Sequence, residues 1–147
     1  MNELIEALKR AQSSTFVLYL KTHNYHWNVE GDDFPMYHDF FKKLYDELHD
    51  AVDIIAELIR TLDEYAPGSL REIASWTSVQ DETVVPVTNV MISNLFRDNQ
   101  IVINELMNTY RLAEKFSEFG ISNAIQTRIE SHKKHAWMLR SMTKGDE

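Results

Sequence analysis

A chain of 147 residues has room for one domain with a sizeable core. It contains no Cys, which excludes a disulfide framework and any thiolate metal site, so a bound metal would have to take imidazole and oxygen ligands. A formal net charge of -8 argues against general affinity for nucleic acid, which needs a basic surface to meet phosphate.

No apolar run approaches membrane-spanning length, and the opening Met1-Asn2-Glu3-Leu4-Ile5-Glu6 does not read as a signal peptide. A cytoplasmic protein without a membrane partner is expected. Only four Gly and three Pro leave room for long uninterrupted helices, so an all-α fold is expected over a single domain, residues 1–147.

The first helix is predicted from about Asn2 to Asn28. Leu4, Leu8, Ala11, Thr15, Leu18, Thr22 and Tyr25 recur at spacings of three and four and define one stripe, which Phe16 and Leu20 widen. Glu30-Gly31-Asp32-Asp33 reads as a turn, and Asp33-Phe34-Pro35 as an N-cap region with Pro near the first helical position.

The second helix, about Pro35 to Tyr65, has the clearest pattern. Tyr37, Phe41, Leu44, Leu48, Ala51, Ile55, Leu58 and Leu62 keep a heptad seam suited to antiparallel bundle packing. One residue further round runs a polar stripe of His38, Lys42, Asp46, His49, Asp53 and Glu57. Such a stripe is ordinarily a solvated face, which is the reading for Asp46 and His49. Ala66-Pro67-Gly68 is expected to stop the helix.

Leu70 to Val85 is a long connection with a short helix at Leu70-Ser75, and Trp76, Val84 and Val85 suggest that it packs on the bundle. A third long helix follows from about Thr88 to Glu118, with Met91, Leu95, Val102, Leu106, Ala113 and Phe116 inward and Gly120 as its C-terminal glycine cap. The last helix should start at Ser122 as N-cap and run to about Met142, burying Ile125, Ile129, Ala136 and Leu139. Lys144-Gly145-Asp146-Glu147 reads as a frayed tail.

Four residues in these helices form a constellation. His26 and His38 each lie six residues from Asp32, so two antiparallel helices meeting at that turn bring them level. Asp53 and Glu57 are four apart and share a helix face, where two carboxylates can serve one metal ion. The two pairs cannot meet within one chain. His38 and Asp53 are 15 residues apart on one helix, a separation of roughly 22 Å. A two-fold axis laying two copies of this helix antiparallel would close two identical sites between subunits. His23, one turn before His26, is a further candidate ligand. The rival architecture, a di-iron site inside one bundle, needs Glu-x-x-His pairs. The chain contains none, and Glu130-x-His132 has the wrong spacing.

The same residues carry a resemblance. His26-Trp27-Asn28, Gly31, Phe34, His38, Phe41, Asp53-x-x-Ala56-Glu57 and Arg60, with Ala136-Trp137-Met138-Leu139-Arg140 near the C-terminus, resemble the signature of the Dps family of mini-ferritins. The resemblance covers nearly the whole chain. It implies a ferritin-like four-helix subunit with an extra helix in the long crossover, a hollow dodecamer, and ferroxidase sites at two-fold interfaces. It also implies that His26 and His38 of one subunit and Asp53 and Glu57 of its neighbour bind iron, with zinc as a competitor. The activity implied is oxidation of Fe(II), preferably by hydrogen peroxide, with ferric mineral stored inside the shell as a defence against oxidative damage. Trp27 would then either pack in the core or shelter the site from stray radicals.

Two positions depart from the family pattern. Relatives commonly place an acidic ligand one turn after the second histidine, where this chain has Lys42. They also carry acids near the start of the last helix, around three-fold pores, where this chain has Ile121-Ser122-Asn123-Ala124-Ile125, with Glu114 and Glu118 nearest. Lys42 predicts one well-occupied iron per site. Two other functions compete: a nucleoid protein that coats DNA, and a cage whose iron chemistry has decayed. Some relatives bind DNA through lysine-rich extensions. Here the first helix starts almost at once and Lys144 faces Asp146 and Glu147 in the tail, so DNA is not an expected partner.

Overall fold

A computed structural model describes residues 1–144; Gly145, Asp146 and Glu147, most of the predicted tail, lie outside the described residues. The elements are α1 (Asn2–Asn28), α2 (Phe34–Thr61), α3 (Leu70–Trp76), α4 (Thr88–Lys115) and α5 (Phe119–Thr143), with no strand among the described residues. α1 pairs with α2 and α4 with α5, the two hairpins meet chiefly through α1 and α4, and α3 lies on α1. This is a four-helix bundle with a short helix in its long crossover: the seam periodicity predicts the bundle packing, and the whole arrangement is the one that the resemblance implies.

The α1 stripe is buried along its whole length, from Leu4 to Tyr25. Its two threonines satisfy themselves: Thr15 Oγ1 donates to the Ala11 carbonyl and Thr22 Oγ1 to the Leu18 carbonyl, both at 2.7 Å. From α2, Phe41, Leu44, Leu48, Ala51 and Ile55 enter the core, joined by Ile59. Met91, Leu95, Val102, Leu106, Ala113, Ile125, Ala136 and Leu139 close it from α4 and α5. Each fully buried Leu or Ile contributes roughly 2 kcal/mol by leaving water. Ile129 and Phe116 are only half-buried and Leu20 lies at the exposed edge.

Helix ends differ most from the sequence reading. α2 stops at Thr61, before Ala66-Pro67-Gly68, and α4 stops at Lys115, before Gly120. Both close in Schellman turns. Glu64 N–H donates to the Ile59 carbonyl and Asp63 N–H to that of Arg60; Glu118 N–H donates to Ala113 and Ser117 N–H to Glu114. The left-handed position is taken by Asp63 (φ 62) in one and Ser117 (φ 58) in the other, so no glycine marks either end. Gly120 instead lies inside α5, which starts at Phe119 with Glu118 as N-cap. Ser122 is buried within that helix and donates to the Phe119 carbonyl at 3.0 Å. Because a β-carbon in the left-handed region costs about 1 kcal/mol, Ser117→Gly should raise the unfolding free energy by roughly 0.5–1 kcal/mol, read as a shift in denaturant midpoint at unchanged m-value.

The crossover packs, and of the three residues the sequence suggested only Trp76 takes part. Val84 and Val85 are exposed, whereas Ile73 and Val79 are buried. Trp76 is half-buried under Lys9 and Arg10, whose charged groups stand 5.7 and 5.5 Å from its ring. Polar ties complete the attachment: Gln12 Nε2 donates to the Pro67 carbonyl at 2.9 Å and Tyr25 Oη to Glu82 at 3.0 Å.

Candidate metal centre

The α1–α2 turn brings the two histidines together. Gly31 adopts φ +122, a conformation rarely open to other residues, and lets the chain reverse within five residues. His26 and His38 then stack at 3.8 Å between ring centroids and 17° between planes. Each ring is tied to the other's backbone, His26 Nδ1 donating to the His38 carbonyl and His38 Nδ1 to the His26 carbonyl, both at 2.7 Å. A carbonyl can only accept, so both Nδ1 atoms carry the proton. That assigns the tautomer of each ring and leaves both Nε2 lone pairs for a ligand, the arrangement seen when a backbone carbonyl orients a metal-binding imidazole. His26 is buried and His38 half-buried.

Asp53 and Glu57 stand one turn apart on the exposed face of α2. α2 runs unbroken from Phe34 to Thr61, so the spacing argument holds. Among the described residues, no three His, Asp or Glu side chains come close enough to hold a metal. The histidine pair and the carboxylate pair therefore lie apart on one chain.

Lys42 is exposed and its ammonium pairs with Asp46 at 3.1 Å, one turn along its own helix, while standing 5.3 Å from the Tyr45 ring centroid. The hydrogen bond and charge of Asp46 raise its pKa, so it is a full cation one turn from His38.

His23 is engaged on three sides. Its ring lies 3.9 Å from Trp27 and stacks on Tyr45 at 4.0 Å and 14°, and its Nδ1 is hydrogen-bonded to the Tyr19 hydroxyl at 3.0 Å. Burial and the neighbouring His26 lower its pKa, which favours the neutral ring. Burial, with Tyr45 and Asp46 nearby, raises the pKa of Tyr19 and keeps its phenol protonated. Trp27 is 59% exposed, so packing in the core does not account for it. Sequence reasoning missed Tyr19 and Tyr45. Tyr19, His23 and Trp27 are spaced by four along α1 and could have been found on that signal; Tyr45 joins them only across the hairpin.

The bundle interior holds a second polar group that sequence reasoning also missed. Lys21 of α1 pairs with Asp98 of α4 at 2.7 Å, with side chains only 3% and 2% exposed. Arg128 of α5 grips Glu47 of α2 with both terminal nitrogens, and His135 Nε2 donates to the same carboxylate at 2.8 Å. Burial pushes Glu47 up, but these hydrogen bonds and the charges of Arg128 and His135 outweigh it and hold the carboxyl well below the usual range. His132, kept neutral by burial and by the nearby Arg128, donates through Nδ1 to Asn99 and accepts from Arg128 at Nε2. Asp98 and Glu47 are thus taken by fixed cations, in accord with the absence of a Glu-x-x-His pair.

Comparison with known proteins agrees with this architecture. The family description "Ferritin-like domain" matches residues 5–146. A low temperature-induced protein of a Nostoc species is 31% identical over 144 residues, 97% of this chain and 80% of that one. The DNA protection during starvation protein 2 of Bacillus anthracis is 28% identical over 139 residues, 95% of each chain. In three dimensions the chain overlays the Dps protein of Vibrio cholerae, described as a member of the ferritin-like diiron-carboxylate superfamily, with a TM-score of 0.92 at 25% identity over 96% of this chain and 89% of that one. The chain belongs to the ferritin-like family, and within it to the Dps proteins.

Proposed function

We propose that this protein oxidises Fe(II) at sites shared between subunits and stores the ferric product inside a dodecameric shell. His26 and His38 of one subunit, with Asp53 and Glu57 of the next, bind the iron. The observation that carries this reading is the reciprocal hydrogen bonding of the two stacked histidines, which commits both Nδ1 atoms to backbone carbonyls and leaves Nε2 as the ligating nitrogen of each ring, on a chain whose carboxylate pair lies elsewhere.

The chemistry follows from the donor set. Imidazole and carboxylate with open positions suit redox-active non-haem iron, and Zn(II), which takes the same ligands, competes. The two carboxylates favour the higher charge of Fe(III), so binding assists oxidation. The imidazoles hold geometry through their backbone bonds and leave room for hydrogen peroxide as oxidant. Consuming peroxide and Fe(II) together protects against oxidative damage.

Iron loading tests this directly. Anaerobic protein given Fe(II) and then peroxide should form Fe(III) at a rate far above that of protein-free buffer, and His38→Ala should reduce it to the buffer rate. The same protein should elute as a large oligomer, most simply a dodecamer. Elution as a monomer with iron bound would contradict the shared site.

DNA is a poor partner for this chain. With a formal net charge of -8 the surface has no general attraction for phosphate. Duplex DNA should migrate unshifted in a gel at physiological salt. Retardation that fades steeply with added salt would reveal a basic patch formed on the assembled shell.

A further inference from the structure

Beside the histidine pair lies a continuous aromatic path that metal binding does not explain. Tyr45 sits 5.2 Å from His26 between ring centroids, His23 stacks on Tyr45 at 4.0 Å, and Tyr19 lies 5.6 Å from His23 and 6.1 Å from Tyr45. At the end of this path a phenol is hydrogen-bonded to an imidazole nitrogen: Tyr19 Oη to His23 Nδ1 at 3.0 Å. A phenol loses an electron readily only when its proton has somewhere to go, and His23 Nδ1 supplies that acceptor in the tautomer that carries the ring proton on Nε2. The neighbours lack it. Tyr45 has the Lys42 ammonium beside it, a donor in place of a base, and Trp27 is largely exposed.

The need for such a donor comes from electron counting. Reduction of peroxide to water takes two electrons, and one Fe(II) gives one. Where the Lys42 cation discourages a second iron, a lone Fe(II) would split peroxide to hydroxyl radical. We propose that Tyr19 supplies the second electron, releasing its phenolic proton to His23 Nδ1 as it does so. This rests on the reading of the chain as an Fe(II) oxidase that uses peroxide.

The step balances. Fe(II) and Tyr19 each give one electron to peroxide, whose O–O bond breaks. The Tyr19 O–H bond breaks and its proton moves to His23. One proton from solvent and the one that His23 then releases complete two waters, leaving Fe(III) and a neutral Tyr19 radical. A second Fe(II), arriving after the first ferric ion has left, returns an electron to Tyr19, which regains a proton from water. The sum is two Fe(II), one peroxide and two protons giving two Fe(III) and two waters.

The test uses the assembled protein, loaded anaerobically with one Fe(II) per subunit, mixed with one equivalent of peroxide and frozen for electron paramagnetic resonance. A tyrosyl radical should accompany Fe(III), and further Fe(II) should quench it. Tyr19→Phe should still form Fe(III) but lose the tyrosyl signal, while spin-trapped hydroxyl radical rises. His23→Phe, which keeps the stack and removes the base, should lose the tyrosyl signal as well. A tyrosyl signal undiminished in Tyr19→Phe, or Fe(III) without any tyrosyl radical in the unaltered protein, would overturn the proposal. Failure of the unaltered protein to form Fe(III) would instead refute the oxidase reading on which it stands.

Discussion

Replacing Lys42 with Asp should raise the iron bound per site from one to two and speed Fe(II) oxidation. Lys42 follows His38 by one turn on α2, so its charge stands beside the half-site that the neighbour's Asp53 and Glu57 would complete. An ammonium there does two things that a second iron would otherwise do. It supplies positive charge to carboxylates gathered without metal, and it repels an incoming cation. In the isolated chain the ammonium is held by Asp46 at 3.1 Å, so on assembly it is drawn between that partner and the neighbour's carboxylates. Lys42→Asp removes the charge and adds a ligand, and titration calorimetry with Fe(II) under anaerobic conditions would count the ions. Asp53→Ala and His38→Ala each delete a ligand and should abolish tight binding. If the unaltered protein already binds two irons per site with equal affinity, Lys42 plays no part in the count.

The second large effect concerns stability. Lys21→Met should destabilise the subunit by about 3 kcal/mol, because it strands the Asp98 carboxylate inside the bundle. Lys21 and Asp98 are both almost wholly buried and meet at 2.7 Å. Arg97, an exposed side chain, also reaches Asp98 at 3.2 Å and offsets part of the loss. Removing both charges is a different experiment: Lys21→Met with Asp98→Leu leaves no buried ion uncompensated and should recover most of the lost stability. Denaturant unfolding at one fixed protein concentration would read both, since assembly links stability to concentration. Equal losses in the single and double variants would mean that packing volume, and not the stranded charge, sets the cost.

Much of this protein could be read along the chain. Local periodicity identified all four long helices, because a buried stripe must recur at the pitch of the helix. α1 matches the predicted span of Asn2 to Asn28, and its seven stripe residues are all in the core. The distance between the histidine pair and the carboxylate pair was legible for the same reason. Fifteen residues on one rigid helix is a length, and a length can rule out a site within one chain. The comparisons bear out the resemblance at the level of the family.

The ends of α2 and α4 and the start of α5 were not legible. Gly120 and Ser122 looked like a cap and a start, yet α4 and α5 are joined by a Schellman turn at Ser117, with both of those residues inside α5. Cap preferences amount to about 1 kcal/mol, less than the burial of Ile121 and Ser122 against the bundle decides. Partners across the bundle were also hidden. Lys21 and Asp98 are 77 residues apart, Glu47 and Arg128 81, and nothing in the local sequence of either indicates the other. Their pairing depends on which faces four helices turn inward, and packing of the apolar seams determines that. The same holds at the metal centre. Composition and spacing name His26 and His38, but only the folded hairpin ties each ring to the other's carbonyl through Nδ1 and lays Tyr45 of α2 against His23 of α1.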